Sequence, residues 1–310
     1  MKPSGTIIAP TRRVFLTTAL AAGVLATRSG PVGAEPGPGA GLVPAFDGDT
    51  LLSAGQRLAL SGDGGRSWTE LPSPGQILAL AAHRDRPGRI VAGLAEGGAA
   101  LSEDGGRTWR GRGDGLPPGT VGAIAIAARD PDMIYAAIRG DGLWKSTDAG
   151  ESWSLAMDRP WLAGAERDAL ALVSVDLETG MGGIWIYAGT EAGLTRVPDC
   201  FCRWQDVQPG NAMDALVAGA APPPEAPLPA GEPVLALASA ASAPERLYAA
   251  LPSGVWASED GGVVWQQRAE GAASALAVHP RDAAFLAAVI GGALQLSRDS
   301  GATWTATAAA

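Results

Sequence analysis

Cysteine and histidine are scarce in this 310-residue chain, and their scarcity excludes several kinds of site. The sequence contains two cysteines and two histidines. Structural zinc sites use four ligands of these two types at short spacings, and no such pattern is present. A haem-attachment sequence is also absent. We therefore expect no metal site and no cofactor.

Basic residues are outnumbered by acidic ones, which bears on the class of partner. The whole chain carries a formal net charge of −9. Residues 1–34 hold four basic residues and no acidic ones, so the other 19 basic and 32 acidic residues give residues 35–310 a net charge of −13. Such a surface repels nucleic acid and anionic lipid, so we expect neither as a partner.

Long apolar runs are missing beyond the first residues. Val14–Ala26 is apolar but too short for a stable membrane span, and no later run is long enough. The residues Thr11-Arg12-Arg13-Val14-Phe15-Leu16-Thr17 resemble a twin-arginine export motif, and a cleavage site follows Ala34. We predict that residues 1–34 are a signal peptide and that the protein is periplasmic or secreted. The alternative is a disordered basic tail. Residues 35–41 are predicted to be a flexible lead-in.

An octapeptide with the pattern S-x-D-x-G-x-[ST]-W is abundant instead. Five versions occur, at Ser61–Trp68, Ser102–Trp109, Ser146–Trp153, Ser258–Trp265 and Ser297–Trp304. A sixth version, Val197–Trp204, keeps only the Asp and the Trp. The aspartates and tryptophans that we assign as structural are Asp63, Trp68, Asp104, Trp109, Asp148, Trp153, Asp199, Trp204, Asp260, Trp265, Asp299 and Trp304.

The octapeptide pattern predicts a tight turn between two strands. A short Asp carboxylate accepts hydrogen bonds from backbone N–H groups just downstream, and glycine adopts positive φ without a Cβ clash. The Ser and Thr hydroxyls add further bonds to the backbone. The Trp then buries a large ring at the start of the returning strand. These aspartates lack the dense spacing of a calcium loop, so we interpret them as turn residues.

The spacing of the tryptophans indicates a repeat architecture. Successive Trp residues are 41, 44, 51, 61 and 39 residues apart. Repeats of roughly 40–50 residues mark propeller-type folds. The pattern resembles the Asp-box (BNR) repeat of β-propellers. This resemblance implies an all-β fold, a six-bladed β-propeller of four-stranded antiparallel blades over residues 42–310, with seven blades as the alternative.

Within each repeat we predict four strands, with small residues in the inner strand where the strands converge on the axis. The predicted inner strands are Leu42–Phe46, Gln76–Ala82, Val121–Ala128, Ala169–Val175, Val234–Ala240 and Ala273–Val278. Residues 219–233 are rich in Pro and Ala, and we predict an exposed polyproline-like insertion there.

The sialidases share this kind of repeat, so their chemistry is the first comparison. No Arg-Ile-Pro motif precedes the first octapeptide, and the tyrosines Tyr135, Tyr187 and Tyr248 occupy matching repeat positions. Matching positions favour packing over a nucleophilic role. His83 and His279 also follow inner strands at matching positions, which disfavours a catalytic triad. No carboxylate pair stands out as a glycosidase acid and base. We predict no catalytic residues.

The two cysteines lie in the degenerate sixth octapeptide, as Cys200-Phe201-Cys202. An exported protein meets oxidising conditions, so a local disulfide that pins this corner is expected. Residues i and i+2 of a flat strand lie near the upper limit for bridging, but a turn brings them closer. Metal binding and a link to a partner remain alternatives.

The resemblance also implies which end of the propeller binds a partner. Asp-box turns lie on the face opposite the ligand mouth, which is lined by second-to-third strand turns and by connections between blades. This geometry predicts a partner site on blades two to four, at Arg110, Arg112, Arg139, Asp141, Arg159, Trp161 and Arg167. Trp and Arg are enriched at binding hot spots. The alternative for Trp161 is a ring folded back over the blade edge.

The chain resembles exported Asp-box propellers of the photosystem II stability and assembly factor-like group. That resemblance implies a non-catalytic scaffold that binds a protein client. A glycan-binding protein or a glycoside hydrolase of the sialidase-like kind is the alternative function.

Overall fold

The structure is a computed structural model that describes residues 41–55, 57–177, 183–208, 219 and 225–309. The predicted signal peptide and nearly all of the predicted lead-in lie outside the described residues. So do residues 220–224 of the Pro-rich insertion. No helix among the described residues is long and apolar enough to cross a membrane.

The described residues form six small antiparallel sheets, numbered here as blades one to six. Blade one contains β1 (Val43–Asp47), β2 (Thr50–Ala54), β3 (Leu58–Ser61) and β4 (Thr69–Leu71). Blade two contains β5 (Ile77–Ala82), β6 (Ile90–Leu94), β7 (Ala99–Ser102) and β8 (Arg110–Gly111). Blade three contains β9 (Val121–Ala127), β10 (Asp130–Ile138), β11 (Gly142–Ser146) and β12 (Ser154–Asp158).

A short hairpin of β13 (Trp161–Leu162) and β14 (Ala165–Glu166) leads into the second half of the chain. Blade four contains β15 (Ala171–Asp176), β16 (Ile184–Thr190) and β17 (Gly193–Pro198). Blade five contains β18 (Ala236–Ala240), β19 (Ala243–Leu251), β20 (Gly254–Ser258) and β21 (Trp265–Glu270). Blade six contains β22 (Ala273–His279), β23 (Asp282–Ile290), β24 (Ala293–Ser297) and β25 (Thr305–Ala306).

The six blades close into a ring. In every blade the strands pair in chain order, and the first strand is innermost. Each inner strand packs against the inner strand of the next blade, and β22 of blade six packs against β1 of blade one. The molecule is therefore a six-bladed β-propeller, as predicted, and the seven-bladed alternative is wrong.

Blade four departs from the predicted four-stranded pattern. Its sheet has three strands among the described residues, and a single bridge between Arg196 and Gln205 stands where the fourth strand would be. The turn that precedes Gln205 lacks the Ser and Gly of the other octapeptides, and Phe201 takes a positive φ of 51°. After this turn the chain pairs with β17 only at the bridge between Arg196 and Gln205, and then leaves the sheet.

Large and small residues alternate along the inner strands, and this alternation packs the blades together. Leu80 of β5 packs towards blade one against Ala45, whereas Ala79 and Ala81 pack towards blade three against Ile124. A similar division recurs around the ring, although blade four has Val173 and Val175 beside Ala171 on the side that faces blade five. A large and a small residue together fill the narrow space between adjacent inner strands.

The octapeptide corners have the hydrogen bonding that the sequence predicts. Asp104 Oδ1 accepts bonds from the N–H groups of Arg107 (3.0 Å) and Thr108 (2.8 Å). Its Oδ2 accepts the Thr108 hydroxyl at 2.6 Å. The Ser102 hydroxyl oxygen accepts Gly106 N–H at 2.8 Å, and Gly106 has a φ of 86°. These hydrogen bonds lower the pKa of Asp104 to about 2, and the bonds from Thr108 have the largest effect.

The corner tryptophans join neighbouring blades. Trp109 donates from Nε1 to Pro72 O of blade one (3.0 Å), and Trp153 donates to Arg112 O of blade two (2.8 Å). Trp204 donates to Asp158 O of blade three (2.8 Å). These three indoles therefore add an inter-blade contact at the periphery to the apolar packing near the axis, whereas Trp265 and Trp304 bond carbonyls of their own corners.

Part of the Pro-rich insertion lies against blade five. Ala226 forms a parallel bridge with Val264, and its carbonyl accepts Trp265 N–H at 2.8 Å. Leu228 packs against the core between blades four and five. Residues 225–227 remain exposed, as predicted, but the segment is held to the octapeptide corner of blade five.

Candidate functional site

The strand order gives the propeller two different faces. The octapeptide corners and the first-to-second strand turns lie at one end of the blades, which we call the corner face. The second-to-third strand turns and the connections between blades lie at the other end, which we call the mouth face. Loops on a rigid scaffold commonly carry binding residues, and the longest described connection on the mouth face is the one between blades three and four.

This connection folds into the β13–β14 hairpin. Trp161 pairs with Glu166 across it, and Ala163 and Gly164 form the turn with φ values of 49° and 79°. Two residues with positive φ match the twist of the flanking strands, so the turn is tight. The Trp161 side chain is 64% exposed. The ring therefore projects into solvent, and the alternative of a Trp folded back over the blade edge is not what the structure contains.

Ion pairs hold the base of the hairpin. Arg159 contacts Glu166 at 2.6 Å and Asp168 at 3.3 Å. Asp168 Oδ1 also accepts Gly140 N–H at 2.9 Å, which connects the hairpin to the β10–β11 turn. The bonds to Glu166 and Asp168 raise the pKa of Arg159, so it stays charged. A rigid hairpin loses little entropy when a partner binds its exposed ring.

A groove of about 740 Å³ lies beside Trp161. Met157, Leu162 and the largely buried ring of Trp204 give it an apolar part. Its polar lining consists of Asp158, Arg159, Glu166, Arg203, Gln205, Asp206 and Gln208. The groove exists because blade four has no complete outer strand, which leaves space between the hairpin and the segment around Gln205.

The five predicted arginines do not form one free positive patch. Arg112 points between blades two and three, where its stem covers Gly150 and its guanidinium lies 3.6 Å from Glu151. It therefore belongs to a blade interface rather than to the mouth, because β8 ends at Gly111 and the chain turns inward. Arg159 forms ion pairs with Glu166 and Asp168, and the Arg167 guanidinium lies 3.3 Å from the Glu191 carboxylate. Three of the five positive charges are thus offset by neighbouring carboxylates.

The remaining predicted residues lie apart, with Arg110 in the outer strand β8 near the corner and Arg139 and Asp141 in the β10–β11 turn of the mouth face. Arg110 and Arg139 are exposed, and neither makes an ion pair with a described carboxylate. Asp141 accepts the Nε1–H of Trp144 at 2.7 Å, which fixes the β10–β11 turn. The structure brings Arg159, Trp161 and Arg167 together at the hairpin.

The sequence analysis missed Leu155, which is 52% exposed in β12. Leu155 and Trp161 are the large hydrophobic residues that the described part of the chain exposes. No signal in the sequence distinguishes Leu155 from a buried strand residue, because outer strands have one neighbour and their periodicity is weak.

The tyrosines are structural. All three are fully buried, and Tyr187 donates to Gly261 O of blade five at 2.8 Å. Tyr248 donates to Ala283 O of blade six at 2.7 Å. Burial raises the pKa of Tyr135, Tyr187 and Tyr248, which opposes a nucleophilic phenolate.

The histidines occupy equivalent positions at the corner face. His279 Nε2 lies 2.9 Å from Asp49 Oδ1 of blade one, and its Nδ1 accepts Arg281 N–H. His83 Nδ1 accepts Asp85 N–H in the same way. No group of three or more potential metal ligands occurs in the part of the chain that the structure describes.

Cys200 and Cys202 are joined by a disulfide, with their Cα atoms 5.5 Å apart. Phe201 lies between them, and its ring contacts Tyr135 of blade three and Lys145. The disulfide therefore holds a turn that packs on the preceding blade, in place of the usual octapeptide bonds.

Comparison with solved structures places the chain in the class of β-propellers. One similar structure is the GH74 xyloglucanase from Xanthomonas campestris, with 18% identity, a TM-score of 0.54, and coverage of 86% of this chain and 46% of that enzyme. Another is the extracellular domain of a one-component system from B. thetaiotaomicron, with 11% identity, a TM-score of 0.51, and coverage of 80% and 31%.

A third structure, YCF48 bound to D1 peptide, has 14% identity, a TM-score of 0.49, and coverage of 82% of this chain and 77% of that one. No protein-family model and no curated protein sequence matches the chain. The chain spans less than half the length of the xyloglucanase. At these identities the likeness establishes the fold, and the particular function has to be argued from the site.

Proposed function

We propose that this protein is an exported, non-catalytic propeller that binds a partner protein through the β13–β14 hairpin. The observation that carries the proposal is Trp161, which is 64% exposed on the first strand of a hairpin anchored by Arg159. An exposed ring on a rigid support beside a groove resembles the aromatic anchors that dominate protein interfaces. The charged groups around the groove would form its polar rim.

Export is part of this proposal. It is supported by the twin-arginine-like motif and apolar run in residues 1–34, and by the cysteine pair. A fusion of residues 1–40 to a reporter that folds before export would test it. We expect export that depends on Arg12 and Arg13, and reporter that stays in the cytoplasm would contradict this part.

The binding proposal is tested by quantitative co-purification from envelope and periplasmic fractions. Trp161→Ala removes the anchor, whereas Leu155→Ala removes an exposed apolar side chain that does not line the groove and serves as the matched control. We expect recovery of the specific partner to fall about tenfold or more with Trp161→Ala. Leu155→Ala should leave it unchanged. Equal recovery with both variants would count against the proposal.

A glycan ligand is the second candidate. The supporting observation is the lining of the same groove, where Gln205, Gln208 and Glu166 offer hydrogen-bond donors and acceptors next to an exposed aromatic ring. A glycan array and a panel of aryl glycosides would test binding and hydrolysis. A signal lost in Trp161→Ala would favour this candidate, and silence in both assays would remove it.

A further inference from the structure

An apolar channel follows the axis of the propeller and is separate from the Trp161 groove. It consists of a cavity of about 230 Å³ towards the mouth face and one of about 190 Å³ towards the corner face. The two cavities meet where they share one residue from each inner strand: Pro44, Leu80, Ile124, Leu172, Leu237 and Leu276.

The mouth-side cavity is almost wholly apolar. Leu42, Leu78, Leu170 and Leu235 are only partly buried there, and Ser274 is the one polar side chain among its lining residues. The corner-side cavity adds polar groups from His83, Arg84, Ser174, Asp176 and Ser239. Leucine walls in contact with water are unfavourable by roughly 25 cal/mol per Å² of apolar surface. A ligand that replaces this water with an aliphatic surface would therefore bind favourably.

Two positions at the rim break the leucine pattern. Two residues before the shared residue, four blades have a leucine, whereas blade three has Gly122 and blade six has Ser274. A Cβ on Gly122 would lie 3.2 Å from Nε and 3.4 Å from Cγ of Arg139. The stem of Arg139 thus occupies the place of a leucine.

This arrangement puts a positive charge at the edge of an apolar tube. Arg139 is exposed and has no carboxylate partner among the described residues. The planar guanidinium is suited to bind a carboxylate with two parallel hydrogen bonds. The inner strands contain five to seven residues and so extend about 17–23 Å along the channel. The site therefore combines an elongated apolar wall with one cationic group at its opening.

We propose that the channel binds a medium-chain fatty acid, with the aliphatic chain along the axis and the carboxylate at Arg139. The inference does not depend on the Trp161 hairpin, so either can fail without the other. The net negative charge of the chain opposes an anionic ligand, so the site depends on the local charge of Arg139 at the rim and on the leucines that contact the tail.

Calorimetric titration with laurate, kept below its micelle concentration, tests the proposal directly. We expect saturable binding of one laurate per chain, with native mass spectrometry giving the stoichiometry. Absence of saturable binding to the wild-type protein would overturn the proposal, whatever the variants do.

Two variants locate the ligand. Ser274→Trp should block the opening and abolish binding, because Ser274 is exposed at the mouth of the channel. Thr69→Trp, on the exposed outer strand of blade one, is the matched control and should bind as the wild type does. Binding by Ser274→Trp that equals the control would overturn the axial site.

Arg139→Gln tests the position of the carboxylate. We expect laurate to bind about tenfold more weakly, which corresponds to loss of about one charge-assisted hydrogen bond. Arg110→Gln removes another exposed arginine, in the outer strand β8, and should have no effect. Methyl laurate, which lacks the charge, should bind both variants equally. An unchanged laurate affinity in Arg139→Gln would overturn the assigned role of Arg139.

Discussion

At the scale of single residues, the corner aspartates make the fold sensitive to acid. Hydrogen bonds from Thr108 hold the pKa of Asp104 at about 2, below its ordinary value of 3.8. A group whose pKa is lowered by folding contributes stability above its unfolded pKa, and this contribution is lost as the pH falls through the folded pKa. The relevant window therefore lies between about pH 4 and pH 2.

We predict that Asp104→Asn lowers the urea midpoint at pH 7 and reduces its further fall between pH 4 and pH 2. The reason is that the neutral amide lacks the charge whose loss destabilises the wild-type corner. Circular dichroism at a series of pH values measures both effects. Asp114→Asn, at an exposed residue of the mouth face, is the control. An acid response identical to that of the wild type would contradict the account.

The buried tyrosines make a second prediction at this scale. Tyr187 donates to Gly261 O and accepts a bond from Arg196 at 3.0 Å, so Tyr187→Phe leaves buried polar groups without partners. We expect it to lower the free energy of unfolding by about 1–3 kcal/mol. Tyr135→Phe should cost less, because its hydroxyl bonds only the Met133 sulfur. Urea denaturation of both variants measures the two free energies of unfolding. Equal losses of stability would argue against inter-blade hydrogen bonding as the cause.

At the scale of the element, blade four differs most from its neighbours. The disulfide between Cys200 and Cys202 closes a very short loop, so its effect on the unfolded chain is small. For the double variant Cys200→Ser/Cys202→Ser we predict a loss of about 1–2 kcal/mol. We also predict faster hydrogen exchange confined to the segment from Arg196 to Gln205. Hydrogen-exchange mass spectrometry with blade one as the internal control measures this, and uniform acceleration in all blades would contradict it.

The elements could be predicted to different degrees. A corner such as Ser102–Trp109 makes most of its hydrogen bonds within eight residues, so the sequence alone locates the turn and the strands on either side. The missing strand at Gln205 depends on where the chain leaves β17, which no local pattern specifies. Arg112 and Arg139 follow strands in similar loops, yet one lies between blades and the other at the channel rim. Side-chain direction there depends on neighbouring blades, which the sequence does not identify.

At the scale of the whole molecule, the ring closes without exchanging a strand between its ends. Blade one consists only of residues from the start of the described chain, and blade six only of residues from its end. The small residues of the inner strands predicted that these strands converge near the axis. They could not predict that the leucines also line a channel, because a channel depends on the radius of the closed ring.

The interface between blades six and one is held by a few identifiable contacts. Phe46 packs on Phe285 and on His279, and Asp49 bonds His279 and Arg281. Beyond β25, Ala308 N–H donates to Gly65 O at 2.8 Å, and Ala308 O accepts Trp68 Nε1–H at 3.1 Å. The last residues thus supply to Trp68 the same inter-blade bond that Pro72 supplies to Trp109.

A chain that ends at Thr307 should therefore unfold more easily than one that ends at Ala309. We expect a difference of about 2 kcal/mol, since two hydrogen bonds are lost at roughly 1 kcal/mol each. The chain ending at Ala309 keeps both bonds and is the matched control. Equilibrium urea denaturation gives the free energies, and quenching of Trp68 fluorescence by iodide reports on local exposure. If the shorter chain were equally stable and its indole equally shielded, the contacts of Phe46 and Asp49 would have to close the ring instead.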